Sequence, residues 1–401
     1  MSGYADIEKL RRVCAPGAEV LSLYLAVPLD PAGIRGLAAE AAELMARAVG
    51  PAGGGESESE RDQRGGARVD HADREAVFDA LAAHGRDWGG HTVAFFACRE
   101  LELFEALPLP CLLPEQAVVA SRPYIRPLLA AVQRGPDYRV AIADREHARV
   151  LSVSAGRVET VAIRVDRGPR SSGFGGWYGL QAYRIQRRII ELGRHHYRDT
   201  AAILERAAGR GHVPLVIGGH HDSIAGLLRA LPAAAREEFA GSFHADPHTL
   251  TEARIRELAG PVVGRWVARR ERELAEEVLA GPPGRLAAIG LPACLAAVSR
   301  GAVDRLLVPD DGMIGGYACD RCGALSAGRG ECPGCGTAAR PVPDLLEEMV
   351  QRTLDDDGRV TVVRDAPFSV AAKLRFPVTA RRAPAWSPGR PGTNCPKVPS
   401  A

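Results

Sequence analysis

The sequence predicts a multidomain α/β protein, and three observations lead to this prediction. The chain has 401 residues, 46% of them hydrophobic and 25% charged, which is a globular composition large enough for about two to four domains. Three short apolar segments precede a long amphipathic helix and a further apolar segment, the pattern of an α/β sheet. Two close pairs of cysteines in the C-terminal third are typical of a metal-binding insertion.

Charge and hydropathy exclude several classes of protein. The chain has 51 Lys and Arg against 49 Asp and Glu, a net charge of +2 that does not by itself indicate a nucleic-acid binder. The longest uncharged apolar stretch, 286–299, contains Gly290 and Pro292 and is too short to span a bilayer. The N-terminus has no apolar segment typical of a signal peptide. Nine cysteines with two close pairs indicate a reducing compartment. We therefore expect a cytoplasmic monomer without membrane contact.

The predicted elements group into three domains and a tail. In the middle group, predicted strands at 138–144, 148–154 and 158–164 precede a glycine-rich segment at 168–179 and a long helix. A proline-punctuated segment at 122–136 is predicted to join the first two groups. The predicted divisions are an N-terminal α/β domain at 1–130, a middle domain at 131–260, a third domain at 261–380 and a disordered tail at 381–401.

The most specific motif is a pair of CxxC turns. Cys319 and Cys322 form the first turn and Cys332 and Cys335 the second, with nine residues between them and a glycine after each. Zn²⁺ prefers four tetrahedral thiolates, and each CxxC turn presents two sulfurs on one knuckle. We therefore predict a structural zinc in a ribbon at 316–339, with every coordination position filled by protein and no catalytic role for the metal.

A cluster of arginines follows the three predicted strands. Eight arginines lie between residues 164 and 198 against Asp166 and Glu191, a local charge of +6. Guanidinium groups beside an aromatic ring suit contacts to the phosphates and unpaired bases of structured RNA. The alternative is a solvated helix face. The candidate RNA-binding residues are Arg167, Arg170, Trp177, Arg184, Arg187, Arg188, Arg194 and Arg198.

Two segments carry a family resemblance. The first, about 138–258, combines three strands, a glycine loop and a helix with the sequence Arg-His-His-Tyr at 194–197. It resembles the middle domain of the archaeal and eukaryotic class-one peptide-chain release factors and of Pelota, which have Arg-His-Asn-Tyr at this place. The second, about 262–378, resembles the third domain of that family with a zinc ribbon inserted. The likeness is closest to the bacterial branch, which includes Balon-like ribosome-binding factors. It implies a ribonuclease-H-like middle domain with a mixed sheet and an α/β/α third domain.

The resemblance also places the family's catalytic motif, with one change. Counting back from Tyr197, Gln181 takes the place of the glutamine in Gly-Gly-Gln, and Gly179 and Leu180 precede it. In the family this glutamine is implied to position a water at the ester of peptidyl-tRNA. Leu180 adds a Cβ that disfavours positive φ and fills space where backbone must approach RNA. A second alignment uses Gly175-Gly176-Trp177 and lacks the glutamine altogether.

The resemblance therefore implies a ribosome-associated translation factor. We expect it to occupy the ribosomal A site without catalysis, in hibernation or rescue, with ribosomal RNA, peptidyl-tRNA and a translational GTPase as candidate partners. Two alternatives stay open: peptidyl-tRNA hydrolysis with Gln181 and Gly179 in the catalytic motif, and RNA binding independent of the ribosome. The first 130 residues show no motif of the family for reading stop codons, so stop-codon decoding is not predicted.

Overall fold

The computed structural model of the chain describes residues 3–13, 19–50, 69–109, 111–154, 157–166, 180–207, 213–281, 286–328 and 330–378. Within them the fold is mixed α/β, as the sequence predicted, and it contains four sheets. The chain forms two compact units. One comprises Gly3–Arg134 and the described residues from Glu271 onward, and the other comprises Gly135–Arg270. The predicted division into three domains stays a prediction, and the predicted tail at 381–401 lies outside the described residues. No helix in the described part is both long and apolar enough to cross a membrane.

The N-terminal part of the first unit is built on an antiparallel sheet. Its helices and strands are α1 (Gly3–Arg11), β1 (Val20–Ala26), α2 (Pro31–Ala46), α3 (His71–His84), β2 (Thr92–Cys98), β3 (Leu103–Leu109), β4 (Gln116–Ala120) and α4 (Arg126–Arg134). The strand order is β3-β2-β1-β4. Asp30 and Asp70 begin α2 and α3, because each carboxylate accepts a backbone N–H from the first turn. β1 and β2 are almost entirely buried, as expected for continuous apolar runs in the centre of a sheet.

The segment at 122–136 contains more structure than a joint. Helix α4 begins at Arg126, and its residues 126–131 are all buried. Pro127 is compatible with this helix because the first turn has no intrahelical partner for its backbone nitrogen. The boundary between the two compact units falls at the end of this segment, after Arg134.

The C-terminal part of the first unit contributes a second four-stranded sheet and a three-stranded sheet. Its elements are β10 (Ala287–Ile289), α9 (Leu291–Val298), β11 (Val303–Pro309), β12 (Gly316–Ala318), β13 (Leu325–Ser326), β14 (Arg340–Val342), α10 (Leu345–Asp355), β15 (Arg359–Val363) and β16 (Ala371–Leu374). The strand orders are β10-β16-β11-β15 and β13-β12-β14. Ile7, Tyr24 and Leu128 share one apolar core cluster with Leu306 and Met349. This common core explains why two distant parts of the chain form one unit.

A buried polar network joins these two parts of the first unit. The guanidinium of Arg126 donates to the carboxylate of Asp344 at 2.9 Å, and the two side chains are 3% and 0% exposed. The hydroxyl of Tyr124 donates to the same carboxylate oxygen at 3.0 Å. The backbone N–H groups of Ile125 and Arg126 each donate to the carboxylate of Glu347 at 3.0 Å. The start of α4 is therefore fixed to α10 by buried hydrogen bonds.

The carboxyl group of Glu347 should make stability depend on pH. Burial raises its pKa from 4.5 to about 7, so between these values the folded state holds a proton that the unfolded state has lost. The free energy of unfolding should therefore fall as pH rises from about 4.5 to about 7, by up to ~1.4 kcal/mol per pH unit, and then level off. Urea unfolding of the wild type and of Glu347→Gln at pH 5, 6, 7 and 8 checks this. Equal pH dependence in the two proteins would contradict it.

The second unit has a five-stranded mixed sheet. Its elements are β5 (Tyr138–Ala143), β6 (His147–Ser154), β7 (Arg157–Val165), α5 (Leu180–Ala207), β8 (Leu215–Gly219), α6 (His221–Ala230), α7 (Ala233–Glu237), β9 (Phe239–His244) and the first part of α8 (Glu252–Ala280). The order is β7-β6-β5-β8-β9, antiparallel among β5, β6 and β7 and parallel among β5, β8 and β9. Separate apolar clusters include residues of α5 and α6 and residues of α8.

The sequence predicted four of these five strands and missed β9. No strand was predicted from the sequence between β8 and α8, but Phe239–His244 forms an edge strand beside β8. Its residues, FAGSFH, are half-buried and do not alternate between apolar and polar, so neither periodicity predicts it. The predicted boundary at 260/261 falls inside α8, which continues through Pro261.

Candidate nucleic-acid interface and candidate metal centre

Helix α5 carries the predicted RNA-binding arginines, and one of its faces packs on the sheet. Tyr197, Ala201 and Leu204 are buried in a cluster with Ile217 and Leu227. A Cβ at Gly226 of α6 would lie 2.3 Å from the Tyr197 ring, so the absence of a side chain there lets the ring pack against α6. The apolar spacing of three and four residues fixes which side of α5 faces the core.

The other side of α5 is exposed and rich in arginine. Arg187 and Arg194 are seven residues apart, as are Arg188 and His195, so they form two adjacent rows on the helix. All four are exposed, and so is Arg198 one turn beyond Arg194. Arg188 and Arg194 form no ion pair with any carboxylate in the described part of the chain. These rows present positive charge to solvent.

Polar contacts near residue 196 hold α5 against the end of β7. His196 is fully buried, and its Nδ1 lies 2.6 Å from Oδ2 of Asp166. Arg164 contacts Asp166 and Asp199 at 2.7 Å each. Burial would raise the pKa of Asp166, but the hydrogen bonds from Arg164 and His196 outweigh it and hold the pKa below its ordinary value. Arg164 therefore neutralises carboxylates within the protein, and the positive surface is smaller than the local charge of +6 suggested.

The predicted site residues fall into three groups: some are described with their side chains, some by their backbone alone, and some lie outside the described part of the chain. Arg187, Arg188, Arg194 and Arg198 lie on the exposed side of α5. Arg184 and Gln181 belong to the first turns of this helix, where the structure describes the backbone alone. The remaining predicted residues lie outside the described part of the chain: Arg167, Arg170, Trp177 and Gly179.

An apolar surface that was not predicted from the sequence lies on β7 and α5. Val161, Ile163 and Val165 of β7 are 48%, 66% and 60% exposed. Ile190 and Leu192 of α5 are 48% and 40% exposed. These exposed apolar residues alternate along β7, but the sequence alone does not show that they face solvent, because the same alternation is typical of a strand with a buried apolar face.

The second candidate site is the cluster of four cysteines beside the three-stranded sheet. Sγ of Cys319 lies 3.5 Å from that of Cys335, and Sγ of Cys322 lies 3.3 Å from that of Cys332. All four sulfurs lie within 4.8 Å of one another. The two CxxC turns, predicted from spacing alone, therefore converge on one point.

The glycines after each turn make this convergence possible. Gly323 and Gly336 have φ of +68° and +70°, a region that residues with a Cβ rarely adopt. Their N–H groups donate to the carbonyls of Cys319 and Cys332 at 2.7 and 3.0 Å, which closes each knuckle. Replacement of either glycine by a residue with a side chain would strain the turn that presents the sulfurs.

The donor set fits a tetrahedral metal ion. Metal–sulfur bonds of about 2.3 Å place tetrahedral sulfurs about 3.8 Å apart, close to the separations observed. The hydroxyl of Thr337 lies 3.0 Å from Sγ of Cys335 and, with the backbone of Thr337, lowers the pKa of Cys335 to about 6. This favours the thiolate, the form that binds metal. The cluster can hold a metal ion with no position left for substrate.

Comparisons with known proteins identify one segment of the chain. No curated protein matches the sequence. Residues 123–280 match the sequence model of bacterial archaeo-eukaryotic release factor family 10. This segment contains α4, the whole five-stranded sheet, α5 and α8.

Several solved structures show a distant likeness. Pelota from Archaeoglobus fulgidus is 14% identical, with 73% of this chain and 81% of that chain covered and a TM-score of 0.34. A ribosome-bound archaeal Pelota is 16% identical, with 94% of each chain covered and a TM-score of 0.40. Dom34 from S. cerevisiae is 10% identical, with 74% and 82% covered and a TM-score of 0.38.

These identities and TM-scores are low, so the sequence match over 123–280 carries the assignment. The matched segment includes the helix with the Arg-His-His-Tyr motif and the strands before it, the features that suggested the family. Residues 123–280 are therefore similar to the bacterial archaeo-eukaryotic release factors of family 10, and this similarity covers less than half of the chain.

Proposed function

We propose that this protein is a ribosome-associated factor that places the exposed side of α5 against ribosomal RNA or tRNA. The observation that carries the proposal is the group of exposed arginines, with Arg188 and Arg194, on one side of a helix inside the segment matched to the release-factor family. The contact of buried His196 with Asp166 and the partly exposed ion pair of Arg164 with Asp199 hold this helix against β7. A rigid helix can present guanidinium groups to phosphates with little further loss of conformational entropy.

The proposed contact is electrostatic and should depend on salt. Each phosphate neutralised by an arginine releases condensed counterions, so affinity falls as salt concentration rises. The exposed apolar residues of β7 and α5, Ile163 and Ile190 among them, provide adjoining surface for bases or ribosomal protein. Ribosome-independent RNA binding would use the same arginines, and the experiment below distinguishes the two.

We infer that the bound factor occupies the tRNA site without hydrolysing peptidyl-tRNA. Leu180 stands where the family has a glycine, and the first turn of α5 begins at this residue. A leucine in place of the glycine restricts the backbone conformations of residue 180, and so the positions that the next residue, Gln181, could take at the ester bond. Hibernation and rescue are the roles that need occupancy alone. A translational GTPase and peptidyl-tRNA are the further partners that we propose.

We assign Zn²⁺ as the ion of the four-cysteine cluster and regard residues 316–339 as a zinc ribbon. Cys319, Cys322, Cys332 and Cys335 would hold it, and the ion would supply structural stability, since a tetrathiolate leaves no open position. We likewise regard the five-stranded unit as the ribonuclease-H-like middle domain implied by the resemblance, and the α/β segment after it as the third domain.

Co-sedimentation with ribosomes in sucrose gradients tests the proposed interface. We expect the wild type to migrate with ribosomes at low salt and Arg188→Glu/Arg194→Glu to lose about tenfold or more in affinity, because two phosphate contacts become repulsive. Arg229→Glu/Arg265→Glu is the matched control, since it makes the same charge change at exposed arginines of the same unit. A charge-reversed α5 variant that sediments like the wild type would contradict the interface. If the wild type bound RNA in the absence of ribosomes as tightly as it binds ribosomes, this would favour the ribosome-independent alternative.

The same ribosome fractions distinguish occupancy from hydrolysis. Stalled ribosomes carrying labelled peptidyl-tRNA should keep the peptide on the tRNA after they bind the wild type. Gln181→Ala should bind equally and give the same background release. Release by the wild type that is lost in Gln181→Ala would overturn the occupancy role and establish hydrolysis.

A further inference from the structure

Histidines gather at one edge of the sheet in the second unit. The parallel strands β5, β8 and β9 end at Ala143, Gly219 and His244 on the same edge. Asp144 follows β5 directly, His147 begins β6 after a short turn, and His248 lies in the loop after β9. The carboxyl edge of parallel strands is where α/β sheets bind ligands, because loops from several strands converge there.

The carboxylate of Asp144 is oriented by its own backbone turn. Its Oδ1 accepts the N–H groups of Glu146 and His147 at 2.7 and 2.6 Å. Its Oδ2 lies 2.9 Å from Nε2 of His248 and 3.4 Å from Nδ1 of His147. The side chain of Asp144 is 16% exposed, whereas those of His147 and His248 are 45% and 61% exposed. One oxygen is thus satisfied by the protein, and the other faces two imidazole nitrogens.

The two imidazole rings, of His147 and His248, contact each other edge to face. Their centroids lie 5.1 Å apart with an interplanar angle of 80°, so the rings do not stack. The three ligand atoms of Asp144, His147 and His248 all lie within 4.8 Å of one another. Metal–ligand bonds of about 2.0–2.1 Å in a tetrahedron place ligand atoms about 3.3 Å apart. The distances from Oδ2 of Asp144 to the nitrogens of His248 and His147, 2.9 and 3.4 Å, are close to this value.

Two other histidines and an aspartate on the same edge of the sheet, His221, His244 and Asp222, do not share the geometry of the first three residues. His221 and His244 stack with an interplanar angle of 12° and centroids 6.1 Å apart, a geometry unsuited to one shared ion. Asp222 lies 3.6 Å from Arg145 and 3.8 Å from His221, so its charge is already compensated. These residues supply controls of the same chemistry in the same region.

We propose that Asp144, His147 and His248 bind a divalent transition metal ion, with Zn²⁺ the best match. Two imidazoles and one carboxylate are donors that zinc accepts, and the hydrogen bonds to Oδ1 give the carboxylate the outer support typical of metal ligands. Three protein ligands leave a coordination position for water or an anionic ligand, in contrast to the closed four-cysteine cluster. This site does not depend on the proposed ribosome binding.

Metal content of the full chain, purified without a histidine tag, tests the proposal. After equilibrium dialysis against Zn²⁺, we expect the wild type to bind one ion per chain more than His147→Ala/His248→Ala. Asp144→Asn keeps an oxygen that can accept the hydrogen bonds of the turn and removes the anionic ligand. It should therefore lower the affinity for this ion at least about tenfold while preserving the fold. His244→Ala should bind as many ions as the wild type.

Co²⁺ distinguishes the two metal sites. Thiolate charge-transfer absorption reports the cysteines, so it should be the same in the wild type and in the histidine variant, while total bound Co²⁺ falls by one. Equal metal content in the wild type, the double histidine variant and Asp144→Asn would overturn the proposal and leave the three residues as a hydrogen-bonded group. Loss of metal in His244→Ala as well would show unspecific binding at histidines and would also overturn it.

Discussion

Removal of the metal ion that we assign to the four-cysteine cluster is expected to unfold the three-stranded sheet of β12, β13 and β14. These strands contribute three, two and three residues, so few backbone hydrogen bonds and few apolar contacts hold them together. Apparent binding free energies of structural zinc are about 10–16 kcal/mol in small metal-dependent folds, and this free energy is also folding free energy. Without metal, four thiols 3.3–4.8 Å apart provide no comparable stabilisation.

The effect should stay local to 316–342. Leu345 and Met349 of α10 belong to the large core of the first unit, and α10 is capped by Asp344, so the helix should persist. Hydrogen exchange after chelation, or in Cys319→Ser/Cys335→Ser, should show rapid exchange in the sheet and protection elsewhere. Cys111→Ala is the control, since this thiol lies outside the cluster. Undiminished protection of 316–342 in the double serine variant would contradict a structural metal.

Asp344→Ala is expected to lower the free energy of unfolding by about 3–5 kcal/mol, because it removes the carboxylate that forms an ion pair with the buried guanidinium of Arg126. The carboxylate of Asp344 also accepts the N–H of Leu346, which caps α10, and the N–H of Ile314. The variant therefore loses the cap of α10, and the N–H of Ile314 and the hydroxyl of Tyr124 lose their acceptor. Urea unfolding with a probe of global structure measures the loss.

Asp304→Ala provides the matched control for this ion pair. Asp304 lies 3.3 Å from Arg359, but the two side chains are 32% and 63% exposed, so solvent screens the pair and the loss should be below about 1 kcal/mol. The double variant Arg126→Met/Asp344→Leu removes both buried charges and should recover part of the stability lost in Asp344→Ala. Similar losses for Asp344→Ala and Asp304→Ala would contradict the buried network.

Local patterns in the sequence predicted much of the second unit. The three strands from Tyr138 onward and the long amphipathic helix α5 were predicted from their apolar patterns. The CxxC spacing predicted the convergence of four cysteines, because two knuckles and two glycines determine most of the geometry. Each of these features depends on residues close together in the chain.

Features that depend on distant residues could not be predicted in the same way. Tyr124 and Asp344 are 220 residues apart, and nothing local indicates that they share a hydrogen bond. The pairing of Arg164 with Asp199 reduced a charge that the sequence counted as surface. Asp144 and His248 meet because β9 lies parallel to β8, and β9 was the one strand of this sheet that the sequence missed.

A cryo-EM map of the protein bound to a ribosome would show which surface of the protein contacts the ribosome. We expect the exposed side of α5, with Arg188 and Arg194, to lie against phosphates of ribosomal RNA or tRNA in the tRNA site. A map in which the protein is bound through another surface, with these two arginines facing solvent, would contradict the proposed interface.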